Sequence, residues 1–326
     1  MRRFLSIFLA VFYLLTTVCS SSQAVWIWDP KTGKWSNPKY EVKGSSKDQL
    51  RHAEGFEDKG QWERAAKEYK RLVKAYPTSP LAPEALARSA QCFEKANYYY
   101  EAYKAYQMII EKYPSYSDIQ QVVKEQYRIG NLFLSGQKKK MKIIKLALFS
   151  SMEIAAEIFR KIVENFPYGE LADKSQLRLG RAYEKMKKYP EAIAEYKKFL
   201  KEYSKSELAD EAKYRMGYCA YKQSKGAAYD QDATEKALEI FNEFLRDFPQ
   251  SKRMEEVKLL VQKLNGRKAK GLFEIAAYYD KVKEKKSAKV YYEQVIQKYP
   301  ESEEAKVAKH RLESLNTGAE NAKTSK

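Results

Sequence analysis

The 326 residues carry 61 Lys and Arg against 43 Asp and Glu, a net charge of +18, at a mean hydropathy of −0.69. That polarity excludes a polytopic membrane protein, three Cys exclude a disulfide scaffold, and two His (His52 and His310) leave little material for a His-based metal site or catalytic triad. The charge asks for an anionic partner or surface, and the 26 Tyr, more than Phe and Trp together, ask for a core that tolerates phenols near water.

The chain opens on Arg2-Arg3, followed by an uncharged apolar run over residues 4–15. That run has the length of a signal-peptide core and is too short to cross a bilayer. Residues 1–24 are therefore expected to be a signal peptide. Two processing routes compete. Ser22-Gln23-Ala24 suits cleavage before Val25, while Cys19 stands where an exported lipoprotein carries its lipidated Cys, although Val18 before it is an unusual neighbour. Either route exports the protein and argues against a nucleic-acid partner.

Residues 25–46 form a Trp-rich linker or hairpin. Val25-Trp26-Ile27-Trp28, the turn chemistry of Asp29-Pro30-Lys31-Thr32-Gly33, and Lys34-Trp35 follow one another. Trp26, Trp28 and Trp35 suit a contact with a membrane or a partner, or packing on the helices that follow.

From residue 47 to 312 the sequence repeats. An Ala, an aromatic four residues on, an aliphatic or Phe three further, then Pro five further (Ser in one copy) recur six times. The copies are Ala65-Tyr69-Leu72-Pro77, Ala102-Tyr106-Ile109-Pro114, Ala155-Phe159-Ile162-Pro167, Ala192-Tyr196-Phe199-Ser204, Ala237-Phe241-Phe244-Pro249 and Ala288-Tyr292-Val295-Pro300. Offsets of four and three share one helical face, and Pro ends the helix. Upstream of each Ala lies a small residue with an aromatic or Ala three on, as in Ala53/Phe56, Gly130/Phe133 and Gly180/Tyr183. Each unit is thus predicted to be two antiparallel helices, A and B, touching at the small residue. Ser79, Ser206, Ser251 and Ser302 are natural N-caps for the next helix. Cys92 and Cys219 fall at equivalent positions and read as buried thiols.

Two further segments break the period within it. Residues 136–151 insert Lys138, Lys139, Lys140, Lys142 and Lys145 among apolar residues, which suits an anionic membrane surface, an acidic partner, or a solvated loop. A spacer helix is expected over 253–264, ended by Asn265-Gly266, and 313–326 is expected to be a disordered tail.

The six-fold frame resembles the tetratricopeptide repeat (TPR), with its unit of about 34 residues. That resemblance implies an all-α, right-handed TPR-type α-solenoid of about six helix pairs behind a short Trp-rich segment. Its helix-A side is a binding surface. By the repeat frame that surface carries Glu54, Glu57, Glu84, Gln91, Glu94, Lys124, Tyr127, Asn131, Lys174, Arg181, Tyr214 and Tyr218, acidic at the start and basic by the third and fourth units. An extended peptide with aromatic side chains and a terminal carboxylate fits such a surface.

The signal segment, the Tyr-Pro endings, the insertion before Ala155, and the stretch Leu272-Phe273-Glu274-Ile275-Ala276-Ala277-Tyr278-Tyr279 together resemble the BamD family of the outer-membrane β-barrel assembly machine. The resemblance implies a periplasmic scaffold at the outer membrane, anchored by lipid or by a partner. Its protein partners would be a barrel-assembly component and unfolded outer-membrane proteins. The alternative is an exported TPR adaptor of a cell-division or peptidoglycan-associated complex. No Gly-rich phosphate loop, HExxH, paired Cys ligands or Ser/His/Asp set is present. The expectation is a non-enzyme without metal, cofactor or small-molecule substrate.

Overall fold

The computed structural model describes residues 26–29, 34–36, 42–136, 150–226 and 231–324. The signal segment, Cys19 and the insertion lysines Lys138, Lys139, Lys140, Lys142 and Lys145 lie outside these. The chain divides into two compact units, Met1–Cys92 and Phe93–Lys326.

The first unit begins with an antiparallel pair, β1 (Ile27–Asp29) and β2 (Lys34–Ser36), in which Trp28 faces Trp35. Helices α1 (Ser46–Glu57) and α2 (Trp62–Ala75) follow, and α3 (Ala82–Lys95) runs out of the unit. A capping box starts α1: the Ser45 hydroxyl accepts from the Asp48 N–H, and the Asp48 carboxylate accepts from the Ser45 N–H. The frame residues Ala65, Tyr69 and Leu72 are fully buried against α1, where Ala53 is fully buried as well. Gly60 makes the A-to-B turn at φ +66°, a conformation that only Gly adopts without steric cost.

The second unit continues with α4 (Tyr99–Lys112), α5 (Ile119–Leu134), α6 (Ser151–Asn165), α7 (Ala172–Lys185), α8 (Tyr189–Glu202), α9 (Ala209–Gly226) and α10 (Gln231–Asp247). Its last helices are α11 (Met254–Lys281), α12 (Lys285–Lys298) and α13 (Glu303–Thr324). The fold is all-α, built of A/B helix pairs on the plan the sequence frame implies. The small residue is where the two helices of a pair approach. A Cβ on Gly130, Gly180 or Gly217 would stand 2.9, 2.5 or 2.6 Å from the ring of Phe159, Tyr196 or Phe241. The aromatic before the Pro slot closes its helix: Tyr113, Phe166 and Tyr299, and Tyr203 ahead of Ser204, donate their N–H to the carbonyl four back.

Three expectations are corrected. The 253–264 spacer does not end at Asn265-Gly266, because α11 runs through both residues. Leu264 is buried in a core with α9 and α10, and Ala269 in a second core with α12 and α13. Clamped on both sides, the helix absorbs the ~1 kcal/mol that Gly costs it. The 313–326 tail is helical to Thr324. Ala305, Ala308 and Leu315 anchor α13 in the last core, and the helix runs on from there. Finally, Ser302 caps α13 directly, but Ser79, Ser206 and Ser251 stand two residues further out from their helices. Their hydroxyls accept from the N–H two residues on, at 3.3, 3.2 and 3.2 Å, making turns ahead of the helix.

Candidate protein-binding surface

The helix-A side chains form three local arrangements, one in the first unit and two in the second. In the first unit, Glu54, Glu57 and Glu84 converge on Arg88, whose guanidinium lies 3.1, 3.9 and 3.4 Å from their carboxylates. Glu57 also accepts the Tyr69 phenol at 2.6 Å. The acidic start expected from sequence is thus partly neutralised from within. Gln91 is exposed beside it.

In the second unit, Glu94 accepts from Tyr106 at 3.2 Å and from Arg128, which also bonds Glu125 at 2.7 Å. Burial outweighs these donors and holds the Glu94 carboxyl above its usual range. Lys124 is exposed and reaches Glu170 at 3.6 Å. Asn131 spends its amide on the Tyr127 carbonyl four residues back. Tyr127 packs edge-on against Phe159, and its hydroxyl oxygen lies 3.5 Å from Arg178 Nε.

Farther on, Arg215 bridges Glu184 and Glu211, at 3.2 and 2.8 Å. Glu184 in turn accepts the Tyr196 phenol at 2.8 Å. Arg181 stands among these groups yet forms no hydrogen bond or ion pair among the described residues. Burial, followed by the charges of Arg215 and Arg178, lowers its affinity for its proton. A half-buried guanidinium repelled by two others is short of an anion. Lys174 is exposed on the same helix.

One residue expected on this surface is not on it. Tyr214 is 7% exposed; its hydroxyl bonds Glu256 at 2.5 Å and the Arg253 guanidinium lies 4.3 Å over its ring. The long helix α11 supplies Glu256 and its N-cap position supplies Arg253, and together they close Tyr214 off. Tyr218, half-buried, stacks on it and lies under Lys222. Sequence reasoning missed Arg88, Arg128, Arg178, Glu184 and Arg215. A signal existed for two of them, since Arg88 and Arg128 follow Glu54 and Glu94 by one repeat length. It also missed a groove of about 760 Å³ between α8, α9 and α10, lined by Ile193, Leu200, Met216 and Ile240 beside the Lys213–Glu243 pair.

Among the described residues no cluster of three or more His, Cys, Asp or Glu is placed to hold a metal, and no helix is long and apolar enough to cross a membrane. Cys219 is buried as expected, and burial together with the Glu184 charge pushes its thiol up to about 12. Cys92 is buried too. Trp26, Trp28 and Trp35 are 58, 47 and 63% exposed.

A tetratricopeptide-repeat profile matches residues 50–117, and the profile of an outer membrane lipoprotein family, YfiO, matches residues 147–325. No curated protein matches the chain. Similar solved structures include the C-terminal part of a TPR repeat-containing protein from Cytophaga hutchinsonii. It shares 14% identity over 82% of this chain and 88% of that one, at a TM-score of 0.33. A tetratricopeptide repeat protein from Parabacteroides merdae ATCC 43184 shares 14% over 83% and 98%, also at 0.33. MamA from Desulfovibrio magneticus RS-1 shares 15% over 65% and 99%, at 0.31.

Proposed function

The chain belongs to the YfiO family of outer membrane lipoproteins, and from that membership we propose that it is a non-catalytic periplasmic scaffold of the outer-membrane β-barrel assembly machinery. The family match over 147–325 carries this reading. A TPR protein is in general a protein-interaction scaffold, and this one resembles BamD. The finer assignments follow from that resemblance. The N-terminal repeats take unfolded outer-membrane proteins, and the C-terminal repeats hold the membrane-embedded barrel component. The chain sits at the periplasmic face of the outer membrane, through a lipid on Cys19 or through its partner.

The chemistry of client capture is in keeping with the surface just described. An unfolded outer-membrane protein offers an extended strand, aromatic side chains and a terminal carboxylate. Arg181 offers a guanidinium that lacks an anion, and a carboxylate accepts two parallel N–H bonds from such a fork. Tyr127 and Tyr218 offer half-buried rings.

Capture from envelope extracts on the full chain tests the reading. Recovery of a barrel-assembly component is expected. Recovery of cell-division or peptidoglycan-associated factors in its place overturns it. For the client surface, the paired substitution Y127A/R181E is expected to weaken binding of a C-terminal β-strand peptide by at least ~tenfold. Superimposable titration curves for variant and wild type reject that site.

A further inference from the structure

The β1–β2 hairpin carries an apolar face that the TPR surfaces do not explain. Side chains alternate between the two faces of a strand, so Trp26 and Trp28 share one face. Trp35 lies directly across from Trp28, with ring centroids 5.5 Å apart. Three tryptophans therefore project together, each about half exposed or more. Ile27, on the other face, is 49% exposed. A two-stranded hairpin is at best marginally stable in water on its own, so a face of this kind calls for a covering surface.

We propose that this tryptophan face is a membrane-docking surface that inserts at the headgroup–acyl boundary of an anionic bilayer leaflet. The inference rests on the envelope placement in the reading above and concerns a surface separate from the repeats. Three observations choose lipid over another occupant. First, Trp is the residue whose amphipathic ring favours the membrane interface, and it makes up the face almost alone. Second, residues 26–43 hold Lys31, Lys34, Lys39 and Lys43 against Asp29 and Glu41, a basic balance that complements acidic headgroups. Third, the geometry permits it. Nine residues separate β2 from α1, a chain length that spans up to ~30 Å. Cys19, the lipidation candidate, is only seven residues from Trp26. A single acyl chain gives marginal, reversible binding, so a second contact so close to the anchor adds hold. If cleavage falls before Val25 instead, the hairpin becomes the N-terminal end itself.

The test is fluorescence of the full chain with its native amino terminus. Trp62→Phe removes the one tryptophan outside the hairpin. The protein is mixed with phosphatidylethanolamine–phosphatidylglycerol vesicles, with and without bromine on the upper acyl chain. The expected result is a blue-shifted emission and strong quenching by the brominated lipid, whether or not the chain is lipidated, since bromine reports insertion and not mere proximity. Emission that stays water-like and unquenched on vesicles overturns the proposal, and so does protection of the rings that appears only when envelope proteins are added. W26A/W28A/W35A is expected to retain capture of the barrel-assembly component. Failure of the parent chain to capture it sinks the scaffold reading and leaves the quenching result standing.

Discussion

Tyr69 donates its phenol to Glu57, twelve residues earlier, at 2.6 Å. The same step of twelve joins Tyr106 to Glu94 at 3.2 Å and Tyr196 to Glu184 at 2.8 Å, and in the last repeat Asp280 stands twelve residues before Tyr292, where its charge adds to burial in holding the phenol up. In each case the acid stands four residues after the small residue of helix A. Where helix B carries Phe instead, the acid is gone. The matching positions are Leu134 for Phe159 and Tyr221 for Phe241. A buried phenol needs an acceptor, and a half-buried acid with no donor is costly, so the two come and go together. Tyr196→Phe alone is expected to cost ~1 kcal/mol. Glu184→Leu alone should cost ~2–3 kcal/mol, because it strands both the Tyr196 hydroxyl and one side of Arg215. The double change, which copies the Leu134/Phe159 unit, should cost less than the two summed. Urea denaturation in a double-mutant cycle checks this, and strict additivity rejects the coupling.

Four helical glycines of the second unit separate into two kinds with opposite expected effects. At Gly180 and Gly217 an added methyl would meet an aromatic ring at 2.5 and 2.6 Å. The ring is part of a fully buried side chain, Tyr196 or Phe241, and cannot withdraw. Gly180→Ala and Gly217→Ala should therefore destabilise by ~1–3 kcal/mol despite the better helix propensity of Ala. At Gly266 and Gly271, mid-helix in α11, an added methyl would meet nothing within 4 Å. Gly266→Ala and Gly271→Ala should stabilise by ~0.5–1 kcal/mol. Thermal melts of the four single variants settle it, and a common sign across all four contradicts the packing account.

The helix pairs were legible in sequence because two independent constraints coincide in them. The offsets of four and three mark a face, and the Pro marks an end, so Tyr69, Phe159 and Tyr292 could be placed in the core from letters alone. What escaped was set by contacts between elements. Asn265-Gly266 has the local chemistry of a helix stop, but Leu264 and Ala269 are buried in different cores and hold α11 straight across it. Tyr214 sits at a surface register of helix A, and only α11, folding back with Glu256 and Arg253, takes it out of reach. Arg181 was named from its register, but its lack of an acid partner required seeing where Glu184 and Glu211 had gone, which is to Arg215.

The buried phenols and thiol predict how stability responds to alkali. Burial, then the Glu184 charge, holds the Tyr196 hydroxyl far above its ordinary 10.0. Burial with Glu94 does the same for Tyr106, and burial with Glu157 for Tyr103. Cys219 is pushed up to about 12 from an ordinary 9.0. Each group keeps its proton in the folded chain at a pH where the unfolded chain has lost it. The folded state then binds more protons than the unfolded state, so the stability of the fold falls as pH rises. The contribution is fully present below about pH 9 and is lost from there upward, at ~1.4 kcal/mol per pH unit for each group that differs. Urea midpoints should hold steady from neutral pH to about 9 and then drop steeply toward about 11. Tyr196→Phe removes one such group, so its curve should drop less steeply above about pH 10 while starting from a lower plateau. Parallel curves for Tyr196→Phe and wild type across that window would assign the alkaline loss to other groups.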